Sequence, residues 1–323
     1  MTQSSKKPTY PAPGLDTFPK LLQHNARMFT NKDAMREKEF GIWQSWTWSQ
    51  VADEVERFAL GLQANGVKAG DAVLIIGGNR PRTYWTMCAV QSLGAVPVPT
   101  YHDSVAGEMQ FVIEHSEARV IVAEDQEQVD KILDVKDRCP AVELVIYDNP
   151  RGMKGYDPEL VKIQDFVTIQ AQGEEVRKKN PKQYQQLVSM GNGEDVSIIL
   201  YTSGTTGQPK GVVLTYDNTL LTGYYGGLLE GLTENEEILA YLPVAWIGDH
   251  IFSYAQSYAM GFCVNCAESS ETIAADMREI GPTYYFAPPR VFESLLTNVQ
   301  IRMEDAAPFK RKMFKYFMQV AKT

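Results

Sequence analysis

From residue 72 onward, short apolar runs alternate with stretches of helical periodicity, and this alternation constrains the fold more than any other feature. AVLIIGG (72–78) reads as a buried strand, Pro81 opens a helix through Leu93, and Gly94 ends it. AVPVPTY returns as a strand that Pro97 and Pro99 push toward a sheet edge or end. A helix over 104–116, the strand RVIVAE, a helix over 126–138 and the strand ELVIYD follow. Strands that alternate with helices pair in parallel, because each crossover returns the chain to the same end of the sheet.

Upstream, Thr47 and Gln50 stand at capping-box spacing. Trp48, Val51, Val55, Phe58 and Leu62 then recur at helical intervals until Asn65–Gly66 stops them. Residues 149–193 break the rhythm with charge, Gln, Gly, Pro158 and Pro181, and read as an exposed excursion with one or two helices. A second series begins at Val196: VSIILY, GVVLTY, a helix over 217–231, EILAYLP, a helix over 249–260, FCVNCA, a helix over 271–280, TYYFAPP and a helix from Arg290. The expected organisation is an arm leading into the first helix (1–46), an α/β subdomain (47–148), the excursion (149–193) and a second α/β subdomain (194–323). Two parallel-type βαβ sheets packed with helices result. No closing element follows the last charged helix, so the fold reads as incomplete at its C-terminal end.

The first strand of the second series runs into YTSGTTGQPKG (201–211). A Walker loop fails here, since five residues after Gly204 stands Pro209. The residues after Lys210 are Gly-Val-Val-Leu, which favour a strand, so the loop joins two strands without help from a helix dipole. Gly204 and Gly207 let the backbone turn N–H groups inward, and Thr202, Ser203, Thr205 and Thr206 add hydroxyl donors. Lys210 adds one mobile charge. That set suits a diphosphate tail; the other reading of the same composition is a Gly/Thr hairpin with no ligand.

YTSGTTGQPKGV resembles the phosphate loop of the adenylate-forming enzymes, which include acyl-CoA synthetases, firefly luciferase and peptide-synthetase adenylation domains. GLQANGVKAGDAVLIIGGNRP, LGAVPVPTY and LPVAWIGDHIFSY are similar to further parts of that family, and APPRVFE resembles its long-chain fatty acyl-CoA synthetases. The resemblance covers the chain from about Thr47 onward. It implies the large N-terminal domain of the adenylate-forming fold. It implies ATP, Mg2+ and coenzyme A as co-reactants, and a fatty acid that is activated through an acyl-adenylate. The span Thr202, Ser203, Gly204, Thr205, Thr206, Gly207 and Lys210 would hold the β and γ phosphates, and Trp246 and His250 would border the acyl substrate. For Trp246 an ordinary core position remains open, and for His250 a helix start; the stripe Ile251, Tyr254, Ala255 and Tyr258 reads as helix core.

The family's Tyr-Gly-x-Thr-Glu motif, its ribose-binding Asp and its catalytic Lys have no match here. Gly231-Leu232-Thr233-Glu234 follows Glu230 rather than Tyr and reads as a helix end. The chain therefore carries no catalytic residue of its own and no metal ligand set, and reads as an N-terminal fragment, inactive alone, of a longer synthetase. An acyl-AMP ligase or carrier-loading domain is the alternative within the family; a short non-catalytic nucleotide- or acyl-binding protein is the alternative outside it.

The net charge of −9 argues against nucleic acid as a partner. No segment approaches the roughly 18 apolar residues that cross a bilayer, and MTQSSKKPTYPAPG lacks the apolar core of a secretory signal, which leaves the cytoplasm as the expected location. A lipid substrate is compatible with peripheral membrane contact. Lys310, Arg311, Lys312 and Lys315 nevertheless read as a solvated helix face. Cys263 and Cys266 in CVNC lie three apart on a strand and read as two buried thiols.

Overall fold

The computed structural model describes residues 9–156, 160–202 and 209–322. The chain forms two compact units, Met1–Thr283 and Tyr284–Thr323. The first begins with α1 (Phe18–Met28), capped where the Lys20 N–H donates to the Thr17 hydroxyl oxygen. A hairpin follows, β1 (Asp33–Glu39) and β2 (Ile42–Thr47), turned at Phe40 and Gly41, both with positive φ. In α2 (Trp48–Ala64) the Thr47–Gln50 capping box forms in both directions.

The apolar runs then build the expected sheet. Its elements are β3 (Ala72–Ile76), α3 (Pro81–Ser92), β4 (Val96–Thr100), α4 (Ala106–Ser116), β5 (Val120–Ala123), α5 (Gln126–Val135) and β6 (Leu144–Tyr147). A further strand, β7 (Lys162–Asp165), completes the order β4-β3-β5-β6-β7, parallel throughout. One face buries Leu74, Ile76, Ile121 and Val145 against Met109, Ile113, Val129 and Ile132 of α4 and α5. The proline-bearing β4 lies at the edge, as its missing N–H donors require.

The stretch expected to be an exposed excursion is partly buried. It supplies β7 and then α6 (Phe166–Lys179) and α7 (Gln183–Met190). Phe166 and Ile169 are fully buried, and the Phe166 ring stacks on Phe58 of α2 at 3.8 Å. The strand was hidden because KIQD is polar, and its pairing with β6 comes from position rather than composition. Two glycines let α2 and α6 touch backbone to backbone: a Cβ on Gly61 would collide with the Ile169 carbonyl, and one on Gly173 with the Arg57 carbonyl. Gly173→Ala is therefore expected to cost about 3 kcal/mol, read as a lowered urea midpoint with unchanged slope. A midpoint equal to that of the native chain would show that the helices separate freely.

The second series gives β8 (Val196–Thr202), β9 (Lys210–Thr215) and α8 (Tyr216–Leu229), then β10 (Glu237–Ala240). A short α9 (Ile247–Asp249), a π-helical turn (His250–Ala255) and α10 (Gln256–Met260) run on as one segment into β11 (Cys263–Cys266) and α11 (Ile273–Ile280). Gly231, with φ +67, follows the end of α8. The sheets differ from the expected partition. β8 and β9 form a separate antiparallel ribbon, while β10 and β11 join β1 and β2 from the leading segment in the order β10-β11-β1-β2. In that sheet β10, β11 and β1 are parallel and β2 is antiparallel. TYYFAPP forms no strand; Thr283, at its start, donates its N–H to the Glu237 carbonyl of β10 and accepts from the Glu237 N–H through its hydroxyl. Cys263 and Cys266 are free, buried thiols. The second unit contains α12 (Pro289–Glu304) and α13 (Pro308–Val320), neither with a buried residue.

Candidate functional site

The β8–β9 ribbon presents the phosphate-loop motif at its tip. Thr202 and Lys210 are cross-strand partners, the last pair before the connection, and Tyr201 pairs with Gly211. Ser203, Gly204, Thr205, Thr206 and Gly207 lie outside the described residues. The register holds one hydroxyl and one ammonium side by side at the mouth of the loop, both exposed. Among the described residues no carboxylate pairs with Lys210, so its charge stays available to an anion. The base of the ribbon is anchored. Tyr201 is buried, its hydroxyl lies 2.7 Å from His115 Nδ1 in α4, and β8 packs beside β4. Burial also raises the Tyr201 pKa, so the phenol keeps its proton.

Trp246 and His250 part company. Trp246 caps α9 after a turn closed by its N–H on the Pro243 carbonyl, and its side chain is 42% exposed. The core alternative for this tryptophan is thereby removed. His250 is 1% exposed, stacked on Tyr254 at 5.1 Å and met edge-on by Phe18 at 5.7 Å. Neither ring nitrogen has a hydrogen-bond partner among the described residues. Burial pushes its pKa down to about 3, so the imidazole is neutral.

Next to it, Asp249 anchors a polar network that no local sequence pattern announced. Its carboxylate accepts from the Tyr84 hydroxyl at 3.0 and 3.1 Å and from Asn79 Nδ2 at 3.0 Å. Asn79 also donates to the Leu242 carbonyl at 3.0 Å. Asn79 follows β3 and Leu242 follows β10, so one side chain ties the carboxyl ends of the two sheets together and fixes the turn that carries Trp246. Burial pushes the Asp249 pKa up to about 7, against the three donors from Ser253, Tyr84 and Asn79 that favour its ionised form.

A polar cleft of about 370 Å³ also opens at the carboxyl ends of the strands, near the point where the order reverses between β3 and β5. Its charges are spent internally. Arg80 meets Glu37 at 3.1 Å and Glu124 at 3.2 Å and donates to the Glu268 carbonyl at 3.0 Å, and Arg82 pairs with Asp148. Burial raises the pKa of Glu37 and of Asp148, in each case opposed by the arginine beside it. The cleft is thus a strap between the sheets rather than a free anion hole. Among the described residues no group of three or more His, Cys, Asp or Glu is placed to hold a metal ion.

The model of the AMP-binding enzyme family matches residues 22–317. The chain is 26% identical over 304 residues to the long-chain-fatty-acid–CoA ligase ACSBG2 of Xenopus laevis, covering 92% of this chain and 40% of that protein. It is 28% identical over 290 residues to long chain acyl-CoA synthetase 3 of Arabidopsis thaliana, covering 85% and 41%. The chain thus spans less than half the length of these curated relatives. Among solved structures, the adenylation domain of a carboxylate reductase from Mycobacterium chelonae superposes with a TM-score of 0.74 at 18% identity, over 94% of this chain and 50% of that one. The A-PCP didomain of a carboxylic acid reductase from Segniliparus rugosus, in complex with AMP, gives 0.74 at 15% identity, over 92% and 46%.

Proposed function

The chain belongs to the AMP-binding enzyme family, and from that premise we propose that it supplies the triphosphate grip and part of the acyl pocket of a long-chain fatty acid–CoA ligase. The observation that carries this reading is the ribbon tip: Thr202 and Lys210 held in register at the ends of a Gly- and hydroxyl-rich connection. An ammonium and hydroxyls at that point neutralise the pyrophosphate that leaves when a carboxylate attacks the α-phosphate of ATP. The donor set fits the phosphates. It does not supply a carboxylate cage for Mg2+, which in nucleotide sites is held largely by the substrate's own phosphates and water. When bound there, the ion would add charge neutralisation at the β and γ oxygens.

The exposed Trp246 suits an apolar wall for a fatty acyl chain, and the two ligases named above are assigned long-chain substrates. His250 is removed from solvent and neutral, so its contribution is packing behind that wall. Coenzyme A as acceptor rests on the same relatives. No residue of the chain matches the family's adenine platform, ribose anchor or catalytic lysine. The expected result is that the 323 residues alone give pyrophosphate exchange at background with ATP and a panel of fatty acids of increasing length. Exchange clearly above background would show that these residues complete the adenylation site by other means.

A further inference from the structure

α3 is buried from Thr83 to Ser92, and in its last turn stands Gln91, 4% exposed. A side-chain amide taken out of water is costly unless its donors and acceptor find partners. Gln91 finds them on two distant elements. Its Nε2 donates to the Ser197 carbonyl at 2.9 Å and to Ser197 Oγ at 3.3 Å, 106 residues along the chain. Its Oε1 accepts from the Tyr254 hydroxyl at 2.8 Å, 163 residues along. Burial raises the Tyr254 pKa, so that phenol keeps the proton it donates.

Ser197 is a bulge in the ribbon. Val196 pairs with Thr215 and Ile198 with Leu214, so Ser197 is one residue more than the partner strand offers. A bulged residue is left out of the ladder, and here the Gln91 amide takes up its carbonyl. The Ser197 hydroxyl also accepts from Thr219 Oγ1 of α8 at 3.3 Å. A bulge bends the strand it interrupts, and beyond Ser197 β8 runs to Thr202 at the ribbon tip. Tyr254 lies in the π-helical turn of the segment that Trp246 opens. Asn79 ties the start of that segment to the first sheet at Asp249; Gln91 ties its middle to the ribbon.

We propose that Gln91 is a positioning residue: it locks the bulge of β8 to the Tyr254 turn, so that the triphosphate grip and the acyl wall keep one fixed geometry. What is positioned rests on the reading of the ribbon and of Trp246 given above; the lock itself does not depend on any ligand. Gln91 touches neither the ribbon tip nor Trp246, and acts on them through Ser197 and Tyr254.

The test compares the native chain with Gln91→Met, which keeps the volume and removes all three bonds, and with Tyr254→Phe, which removes one. Each is followed by hydrogen exchange read by mass spectrometry and by calorimetric titration with ATP and with AMP. In Gln91→Met, exchange should quicken about 10-fold across β8, β9 and residues 247–260 while β5 and β6 exchange as in the native chain. Its preference for ATP over AMP should fall by about 3- to 10-fold, with AMP affinity unchanged. Tyr254→Phe should quicken residues 247–260 and leave β8 and β9 near native, because Ser197 keeps its donor. Native exchange in the ribbon of Gln91→Met would overturn the proposal. So would equal acceleration throughout Met1–Thr283, which marks a general loss of stability, or a loosened ribbon that keeps its full preference for ATP. Native exchange over 247–260 in Tyr254→Phe would overturn it whatever Gln91→Met does. Equal affinities for ATP and AMP in the native chain would strike the ligand proposed for the ribbon rather than the lock, which the exchange data then decide alone.

Discussion

Asp249→Asn and His250→Phe are expected to give the protein opposite pH dependences of stability. The native Asp249 holds its proton up to about pH 7, whereas the unfolded carboxyl loses it near 3.8. Between those values the folded state binds the extra proton, so stability falls as pH rises. His250 is the reverse: its folded pKa is about 3 and its ordinary value 6.5, so stability is lost as pH falls through that range. In the native chain the two slopes nearly cancel between about pH 4 and 6.5, because folding then converts an Asp−/His+ pair into a neutral one. Asp249→Asn leaves the histidine slope, and the variant should lose on the order of 4 kcal/mol toward pH 3 relative to neutral pH. The phenylalanine variant leaves the aspartate slope, and should lose a similar amount from pH 4 to above 7. It also removes two ring nitrogens without a hydrogen-bond partner among the described residues, so its stability at acid pH should match or exceed that of the native chain. Urea midpoints at four pH values check both. Two variants that follow the native curve would mean that these groups meet water in the folded state.

The reason the Asp249 network escaped the sequence is distance along the chain. Asp249 meets Asn79 across 170 residues, and no periodicity links them. The parallel sheet was legible because its strands are short apolar runs fully buried between helices, as in AVLII and VIVA. The Thr47–Gln50 box was legible because capping is local. Polar β1 and β7, and the mixed β2, were not: their place comes from partners such as β11, more than 200 residues from β1. TYYFAPP shows the opposite failure, an aromatic run of high β-propensity that does not form a strand. At the site, the ribbon was legible from the Gly-Val-Val-Leu that follows Lys210, since a Walker helix cannot start there. The burial of His250 and the exposure of Trp246 were not, because a turn and a π-helical segment set them.

Lys210→Met is expected to weaken ATP binding to the chain by about 10- to 100-fold, the usual range for deleting one charge-assisted hydrogen-bond donor to a charged ligand. The substitution is on an exposed strand end and removes no packing, so the urea midpoint should not move. The loss should be confined to ligands that reach the β and γ phosphates. Thr202→Val, its cross-strand partner, should weaken ATP in the same selective way but less, since it removes a neutral donor.

The direct test is calorimetric titration of the native chain and of Lys210→Met with ATP and with AMP, at one ionic strength. A ribbon that grips the triphosphate tail binds ATP at least about tenfold tighter than AMP, and the variant loses that preference while AMP affinity stays the same. Equal affinities for the two nucleotides in the native chain, or a preference for ATP that survives the loss of the ammonium, would contradict the account.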